Sequence, residues 1–462
     1  MTETQVRTHY TTLAIGKAEG LMFGRTPKPV SCGYGLELGS GMVYPEINFT
    51  LPMMMIDEST WPSVVAQYDE MGEMIGRTAT RLHLRGVMIE FELLPPMTER
   101  PEWGAEITQV LDRHLKTMYE NHGVAGALRV TPTDIRDATR PPPLRSGIEW
   151  ETLMASFDEC AKAGAHVLSI ESVGGKEVND EAMMYGDVEG VIFALGVLAP
   201  RDMEHLWTNI VSTCKRYGVV PGGDSACGFA NTAMQLASQG MLPGVFAAMI
   251  RGASAVRSLV AYECGAFGPS KDCAYEGPIL KAITGAPIAM EGKSASCAHF
   301  SPVGNVAAAM CDLWSNESVQ NIRLLSGPAP EAFLELLTYD CRLFNAALSS
   351  GSEQTYQRML VDSDVHHSPQ ALVLSPESTI CIASAIVREQ TPYRQTVAAG
   401  LEALRVIRDA VRDKTLPLAA KEHHWLDKTE SALTALPAEE EGMMDSMIER
   451  YGHLFAPSSY GL

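Results

Sequence analysis

The 462-residue chain is short of positive charge, with 36 lysines and arginines against 56 aspartates and glutamates and a formal net charge of -20. Such an acidic surface repels phosphate backbones and anionic lipid headgroups at long range, which excludes nucleic acid and membrane surfaces as partners. Cysteine is sparse, at ten residues, far below the density of a disulfide scaffold. No C-x-x-C pair occurs, so zinc knuckles and thioredoxin-type sites have no support. Long apolar runs are missing too. The longest, 191–199, is broken by Gly196 and falls far short of the roughly 20 residues a membrane span needs. The polar stretch 1–16 lacks the apolar core of a signal peptide. A reducing, cytoplasmic location with no membrane segment is therefore expected. No G-x-G-x-x-G opens a helix after a strand and no Walker Lys-Ser/Thr pair follows a glycine loop, which leaves nucleotide binding without a motif.

What is plentiful is core-forming material, 46% hydrophobic residues against 20% charged, so a large folded core is expected. Short apolar runs at 87–91, 126–130, 167–171, 218–220, 258–261 and 287–290 each end in glycine, proline or an acidic residue. Weaker runs lie at 35–39 and 322–325, and helical spacing such as 150–164 and 203–217 fills most gaps. Eight such units predict an α/β fold, a (β/α)8 TIM barrel. After Pro328 the pattern becomes helical throughout, at 331–348, 379–389, 393–413 and 426–436. Residues 1–330 are thus expected to form the barrel with an N-terminal segment, and 331–462 a helical C-terminal extension packed on it or holding a second subunit.

Barrel chemistry sits at the C-terminal ends of strands, and three residues with metal-ligand side chains fall there: Glu171, Cys227 and Cys273. Most free cysteines are simply buried thiols, and Cys160, Cys214, Cys311 and Cys341 sit on helical patterns as expected core residues. Cys32, Cys264, Cys297 and Cys381 stay open, with Cys264 a competitor because it lies close to Cys273 in sequence. A carboxylate closing an apolar strand must be solvated, paired or metal-bound. Glu171 fits best. For Glu90, Glu92, Asp134 and Glu291 an ion pair with Arg129, Lys176 or Lys281 is the simpler reading. The histidine pairs His366-His367 and His423-His424 belong to the helical tail, where exposure is the default. Asp364-Val365-His366 begins like the D-x-H-x-x-G signature of corrinoid-binding domains, but Pro369 takes the glycine position, so this chain does not carry a corrinoid by that motif.

Several segments carry a specific resemblance: Gly33-Tyr34-Gly35-Leu36-Glu37-Leu38-Gly39-Ser40-Gly41 with Pro45-Glu46-Ile47-Asn48, Ser169-Ile170-Glu171-Ser172, Gly268-Pro269-Ser270-Lys271-Asp272-Cys273, Met290-Glu291-Gly292-Lys293 and Leu313-Trp314-Ser315-Asn316-Glu317-Ser318-Val319. Over nearly its whole length the chain resembles the zinc-containing methanol:corrinoid methyltransferase subunits. The resemblance implies a (β/α)8 barrel with helical additions and a Zn2+ ion held by one glutamate and two cysteines. By motif those ligands fall on Glu171 in Ser-x-Glu-Ser, Cys227 in Gly-Asp-x-x-Cys and Cys273 in Lys-Asp-Cys. One departure is Ala226, where a second acid is expected just before the middle ligand.

The implied reaction transfers the methyl group of methanol to the Co(I) corrinoid of a partner corrinoid protein docked over the barrel mouth. That is the first step of methanol use in methylotrophic methanogenesis or acetogenesis. The implied assembly has a homodimer of this chain at the core of a heterotetramer. Asp224 or Glu90 is the expected proton relay for the leaving oxygen. Two alternatives stand beside this: a methoxylated compound or another small alcohol as methyl donor, and a non-catalytic scaffold whose zinc is fully four-coordinate, kept open by the nearby Cys264.

Overall fold

A computed structural model describes residues 7–52, 54–319 and 322–462; residues 1–6 of the polar N-terminal stretch lie outside the described residues. Its centre is a curled sheet of seven parallel strands. In chain order these are β3 (Tyr44–Thr50), β4 (Gly86–Glu92), β5 (Ala125–Thr131), β6 (Val167–Ile170), β7 (Val220–Asp224), β8 (Ala289–Glu291) and β9 (Leu313–Val319), and across the sheet they run β7-β6-β5-β4-β3-β9-β8. Ahead of them β1 (Arg25–Cys32) and β2 (Leu36–Ser40) form an antiparallel hairpin. Strands covered on both faces read as nearly unbroken apolar runs, which is why β4, β5 and β6 are legible at 87–91, 126–130 and 167–171.

The sheet is open between β7 and β8, and the irregular segment 267–273 fills that opening as an eighth stave. The amides of Phe267 and Gly268 donate to Pro221 O and Gly222 O of β7, each at 2.8 Å. On the other side, a Cβ on Gly268 would stand 2.5 Å from Pro287 O, and the residue has φ +81°. Only glycine fits so close to a neighbouring backbone at positive φ. The fold is thus the expected (β/α)8 barrel with one stave lacking strand geometry.

Three expected strands are corrected. Residues 258–261 lie inside the helix Gly244–Glu263. An apolar run buried on every side looks alike in a helix and in a strand, and nearly every residue of this helix is buried. The run 35–39 belongs to the hairpin rather than to the barrel. Residues 322–325 fall in a second small hairpin, β10 (Arg323–Leu324) with β11 (Gly327–Pro328). The staves in their places are β3 and β9, whose inward faces carry Glu46, Asn48, Ser315 and Glu317. Polar residues inside a barrel dilute the apolar signal that marks a strand.

The two ends of the barrel differ. At the N-terminal end, Cys32, Leu36 and Leu38 of the hairpin pack with Met88, Ala127, Val167, Ala289 and Leu313 of the strands in one apolar cluster. This plug seals the floor. Gly33 makes it possible, because with φ +55° its Cβ position is only 2.3 Å from Gly126 O, so the turn lies directly on β5. Above the plug the barrel interior is polar up to the mouth.

The helix Gly244–Glu263 is the one described helix long and apolar enough to cross a membrane by length and composition, a segment passed over in the sequence. It is buried almost throughout within the fold, against helices that include Pro392–Arg412, Ala199–Tyr217, Ala420–Thr434 and Pro369–Leu374. A helix wrapped on all sides is apolar all round. The expected tail helices are present as Ala329–Ser350, Pro376–Arg388, Pro392–Arg412 and Ala420–Thr434, and their buried faces join the same hydrophobic core as the barrel helices.

Candidate metal centre

Glu171 is the first residue past β6, Cys227 stands three residues past β7, and Cys273 ends the irregular stave. They come from three consecutive staves, so curling the sheet brings them together. One ligand atom from each lies within 4.8 Å of the others. Cys273 Sγ donates to Glu171 Oε1 at 2.7 Å. Cys273 is buried, Cys227 half-buried, and the Glu171 side chain keeps 38% of its surface open towards the mouth. Cys264 takes no part: it caps the helix Gly244–Glu263 and contacts Thr208 and the Glu204 carbonyl. Cys160, Cys214 and Cys341 are buried on helices as expected, whereas Cys311 is buried just ahead of β9. Among the described residues no disulfide forms.

The loop carrying Cys227 is braced from below. Asp224 accepts from Trp207 Nε1 at 2.9 Å, Ser225 N at 2.8 Å, Ser172 N and Oγ at 3.2 Å, and Arg257 Nη2 at 3.2 Å. Arg257 also donates to Ser225 O at 2.7 Å, and Glu276 accepts from Ala226 N at 2.7 Å. Both Asp224 oxygens are therefore engaged in holding the loop. Four of these donors crowd Oδ1 and one reaches Oδ2, so the carboxylate acts first as a brace for the loop. Glu276 meanwhile supplies an acid beneath Ala226, the position where the sequence departs from its resemblance.

Beside the cluster, the buried Lys271 faces four carboxylates: Glu92 at 2.5 Å, Asp272 at 2.6 Å, Glu90 at 3.4 Å and Glu171 at 3.5 Å. Glu90 is thus ion-paired, but with Lys271 rather than with the three cations expected. Arg129 is held by Glu46 at 2.8 Å, Lys281 by Asp312 at 2.9 Å, and Asp134 pairs with Arg136 at 2.7 Å. Burial, and next the Asp272 charge, push Glu90 well above the usual carboxylate range. Asp272 is buried too, yet Lys271 holds it below that range. Glu46 Oε2, Glu90 Oε2 and Glu291 Oε1 are buried without a hydrogen-bond partner among the described residues. The interior is over-supplied with acid.

A second group lies on the next staves. Glu291, His299 and Glu317 bring their ligand atoms within 4.8 Å, and Glu291 likewise reaches Asp272 and Cys273. His299 Nδ1 bonds Glu291 Oε2 at 2.8 Å, and that bond raises the imidazole to about 9 despite burial. Burial, then Glu92 and Asp272, raise Glu317 to about 7. The sequence reading gives no site role to Lys271, His299, Glu317 or Asn231, although Lys271 and Glu317 lie in segments that carry the resemblance. The one usable signal was Asn231, four residues after Cys227.

The fold and site together define a (β/α)8 barrel protein whose mouth gathers two thiols and a carboxylate as a metal-type donor set. The profile of the methanol-cobalamin methyltransferase B subunit family matches residues 7–461. A methanol–corrinoid protein co-methyltransferase of Methanosarcina barkeri (strain Fusaro / DSM 804) is 35% identical over 459 residues, 98% of this chain and 99% of that protein. The crystal structure of the methanol:cobalamin methyltransferase complex MtaBC from Methanosarcina barkeri contains a chain that matches at TM-score 0.94 and 34% identity, covering 98% of this chain and all of that one. The chain belongs to the methanol-cobalamin methyltransferase B subunit family.

Proposed function

We propose that this chain transfers the methyl group of methanol to the Co(I) corrinoid of a separate corrinoid protein, using a zinc ion held by Glu171, Cys227 and Cys273. The observation that carries this reading is the convergence of those three side chains at the mouth, in a chain similar end to end to a methanol–corrinoid protein co-methyltransferase. The donor set fits the ion. Two sulfurs and a carboxylate oxygen suit zinc, and three protein ligands leave one position for substrate. Although the Cys273 thiol stabilises the charged form of Cys227, burial together with Glu171 and Glu291 pushes Cys227 up to about 11. Burial drives Cys273 well above its ordinary value, so two thiolates here call for a cation beside them.

A zinc ion bound there supplies a Lewis acid that weakens the C–O bond of a small alcohol. The chain's own residues set the geometry. Ser225 Oγ accepts from Cys227 N at 2.9 Å and lies 3.1 Å from Cys273 Sγ, tying the two cysteines together. Lys271 sets the orientation of Glu171. In the reaction methanol loses its C–O bond, with both electrons going to oxygen, and gains a C–Co bond from the Co(I) electron pair. The departing oxygen needs one proton to leave as water. We assign that proton to His299 Nδ1, shared with Glu291, because this pair stands beside Cys273 and His299 keeps 23% of its side chain exposed for resupply.

The absence of Cys264 from the cluster disfavours a closed four-coordinate scaffold. The ten cysteines, none in a disulfide among the described residues, support a reducing, cytoplasmic setting. We also take residues 331–462 as a helical extension of the 1–330 barrel, and a homodimer at the core of a heterotetramer as the assembly. The test is a donor panel: the zinc-loaded chain, a Co(I) corrinoid protein, and methanol, ethanol or a methoxylated aromatic, followed by loss of the Co(I) absorbance. Methylation with methanol alone is expected. Methylation with a methoxylated donor but not with methanol would replace this reading.

A further inference from the structure

Cys227 opens a five-residue stretch of π-helix, Cys227–Asn231, a wound form that concentrates at functional sites. It places the Asn231 amide one turn from Cys227, over its sulfur. Asn231 Nδ2 lies 3.3 Å from Cys227 Sγ and 3.3 Å from Cys273 O. Its other end, Oδ1, accepts from Arg251 Nη2 at 3.1 Å. This arrangement fixes which way the amide points. A guanidinium only donates, so the oxygen must face Arg251, and the N–H must then face the sulfur.

Arg251 is otherwise poorly satisfied. It is fully buried on the helix Gly244–Glu263, its Nε and Nη1 have no hydrogen-bond partner among the described residues, and its guanidinium lies 5.1 Å from the centre of the Tyr275 ring. An unpaired buried cation is costly unless negative charge lies close. No carboxylate forms an ion pair with Arg251 among the described residues. The acidic groups within its electrostatic reach are, in order of effect, Tyr275, Glu276, Cys227 and Glu291.

We propose that Asn231, oriented by Arg251, is a positioning residue that hydrogen-bonds the Cys227 sulfur, fixing its direction and reducing its electron donation to the bound metal. The inference rests on the reading of Cys227 as a metal ligand. Its chemical point is that two thiolates and a carboxylate place three negative charges around a divalent ion and blunt its Lewis acidity. An N–H directed at one sulfur withdraws part of that donation, and a buried guanidinium behind it reinforces the effect in a low dielectric.

The test substitutes Co(II) for the metal in the full chain and reads the sulfur-to-cobalt charge-transfer absorption, which reports sulfur donor strength independently of turnover. Asn231→Leu removes the donor, and Asn231→Asp keeps the side-chain shape if the first variant does not fold. Both are expected to retain the band but move it to longer wavelength, with metal affinity by chelator competition weaker by about 10- to 100-fold. Arg251→Met is expected to shift the band the same way by less. A band at the wild-type position in the Asn231 variants would overturn the proposal. Cys227→Ser separates the two readings: a band lost together with the metal supports Cys227 as ligand, whereas an unchanged band removes the premise itself.

Discussion

Arg136 and Lys271 are both buried cations facing several carboxylates, yet they are built to different standards. Arg136 directs its fork at Asp134 and Asp202 through four bonds of 2.7 to 2.9 Å and donates a fifth to Leu144 O at 3.0 Å. It has no unpartnered atom, and Asp134 also accepts from Val173 N. Lys271 offers three donors to four carboxylates, and Glu90 Oε2 and Glu291 Oε1 are left bare nearby. A satisfied cluster fixes the chain. A cluster with surplus acceptors is under electrostatic strain and is suited to hold a cation or a proton.

The sharpest break of that comparison is loss of the metal. Cys227→Ser and Cys273→Ser should each abolish stoichiometric zinc and methanol-dependent methylation while far-ultraviolet dichroism stays that of a folded barrel. Metal retained together with activity would remove the metal centre. Next in size, Arg136→Leu leaves Asp134 and Asp202 buried without their partner and should cost about 3–5 kcal/mol in urea unfolding, with zinc content of the folded fraction unchanged. A loss of zinc instead would make Arg136 part of the site.

Glu90→Gln should act in the opposite direction. A carboxyl whose folded pKa is raised weakens the fold as pH climbs above its unfolded value, because the folded state resists ionising it. A neutral amide removes that penalty, so stability at neutral pH in urea unfolding should rise. A lower melting temperature would show that Glu90 supports the fold as Asp134 does.

The smallest effect belongs to His299. With its folded pKa raised to about 9, its contribution to stability is complete below the unfolded value of about 6.5 and is lost as pH rises through about 9. The melting temperature and the methylation rate should both decline across that limb, and His299→Gln should flatten it. An unchanged alkaline limb in the variant would take the proton from His299.

Much of the barrel was legible because strands covered by helices are apolar along most of their length, as Val87 to Phe91 and Ala127 to Val130 are apart from Glu90 and Arg129. The reading failed where that logic reverses. At β3 and β9 the inward residues are Glu46, Asn48, Ser315 and Glu317, so the apolar signal is halved. At 258–261 a helix wrapped on every side by other helices lost the polar face that marks helices. Glu171, Cys227 and Cys273 stood out because metal-ligand side chains at strand ends are rare. For Asp224, sequence shows a carboxylate beside Cys227 but not the donors that occupy it.

The sequence by itself determined the alternation of strand and helix, the absence of disulfide and nucleotide motifs, and three ligand-type residues placed where barrel chemistry occurs. These are local properties of residue type and spacing. Tertiary structure alone decided which charges are answered. Arg136 meets Asp202 across 66 residues, Lys271 collects acids from staves far apart in the chain, and Arg251 turns the Asn231 amide towards Cys227. Such partnerships depend on distances of a few ångströms between distant segments, and it is those distances that separate a brace from a reactive group.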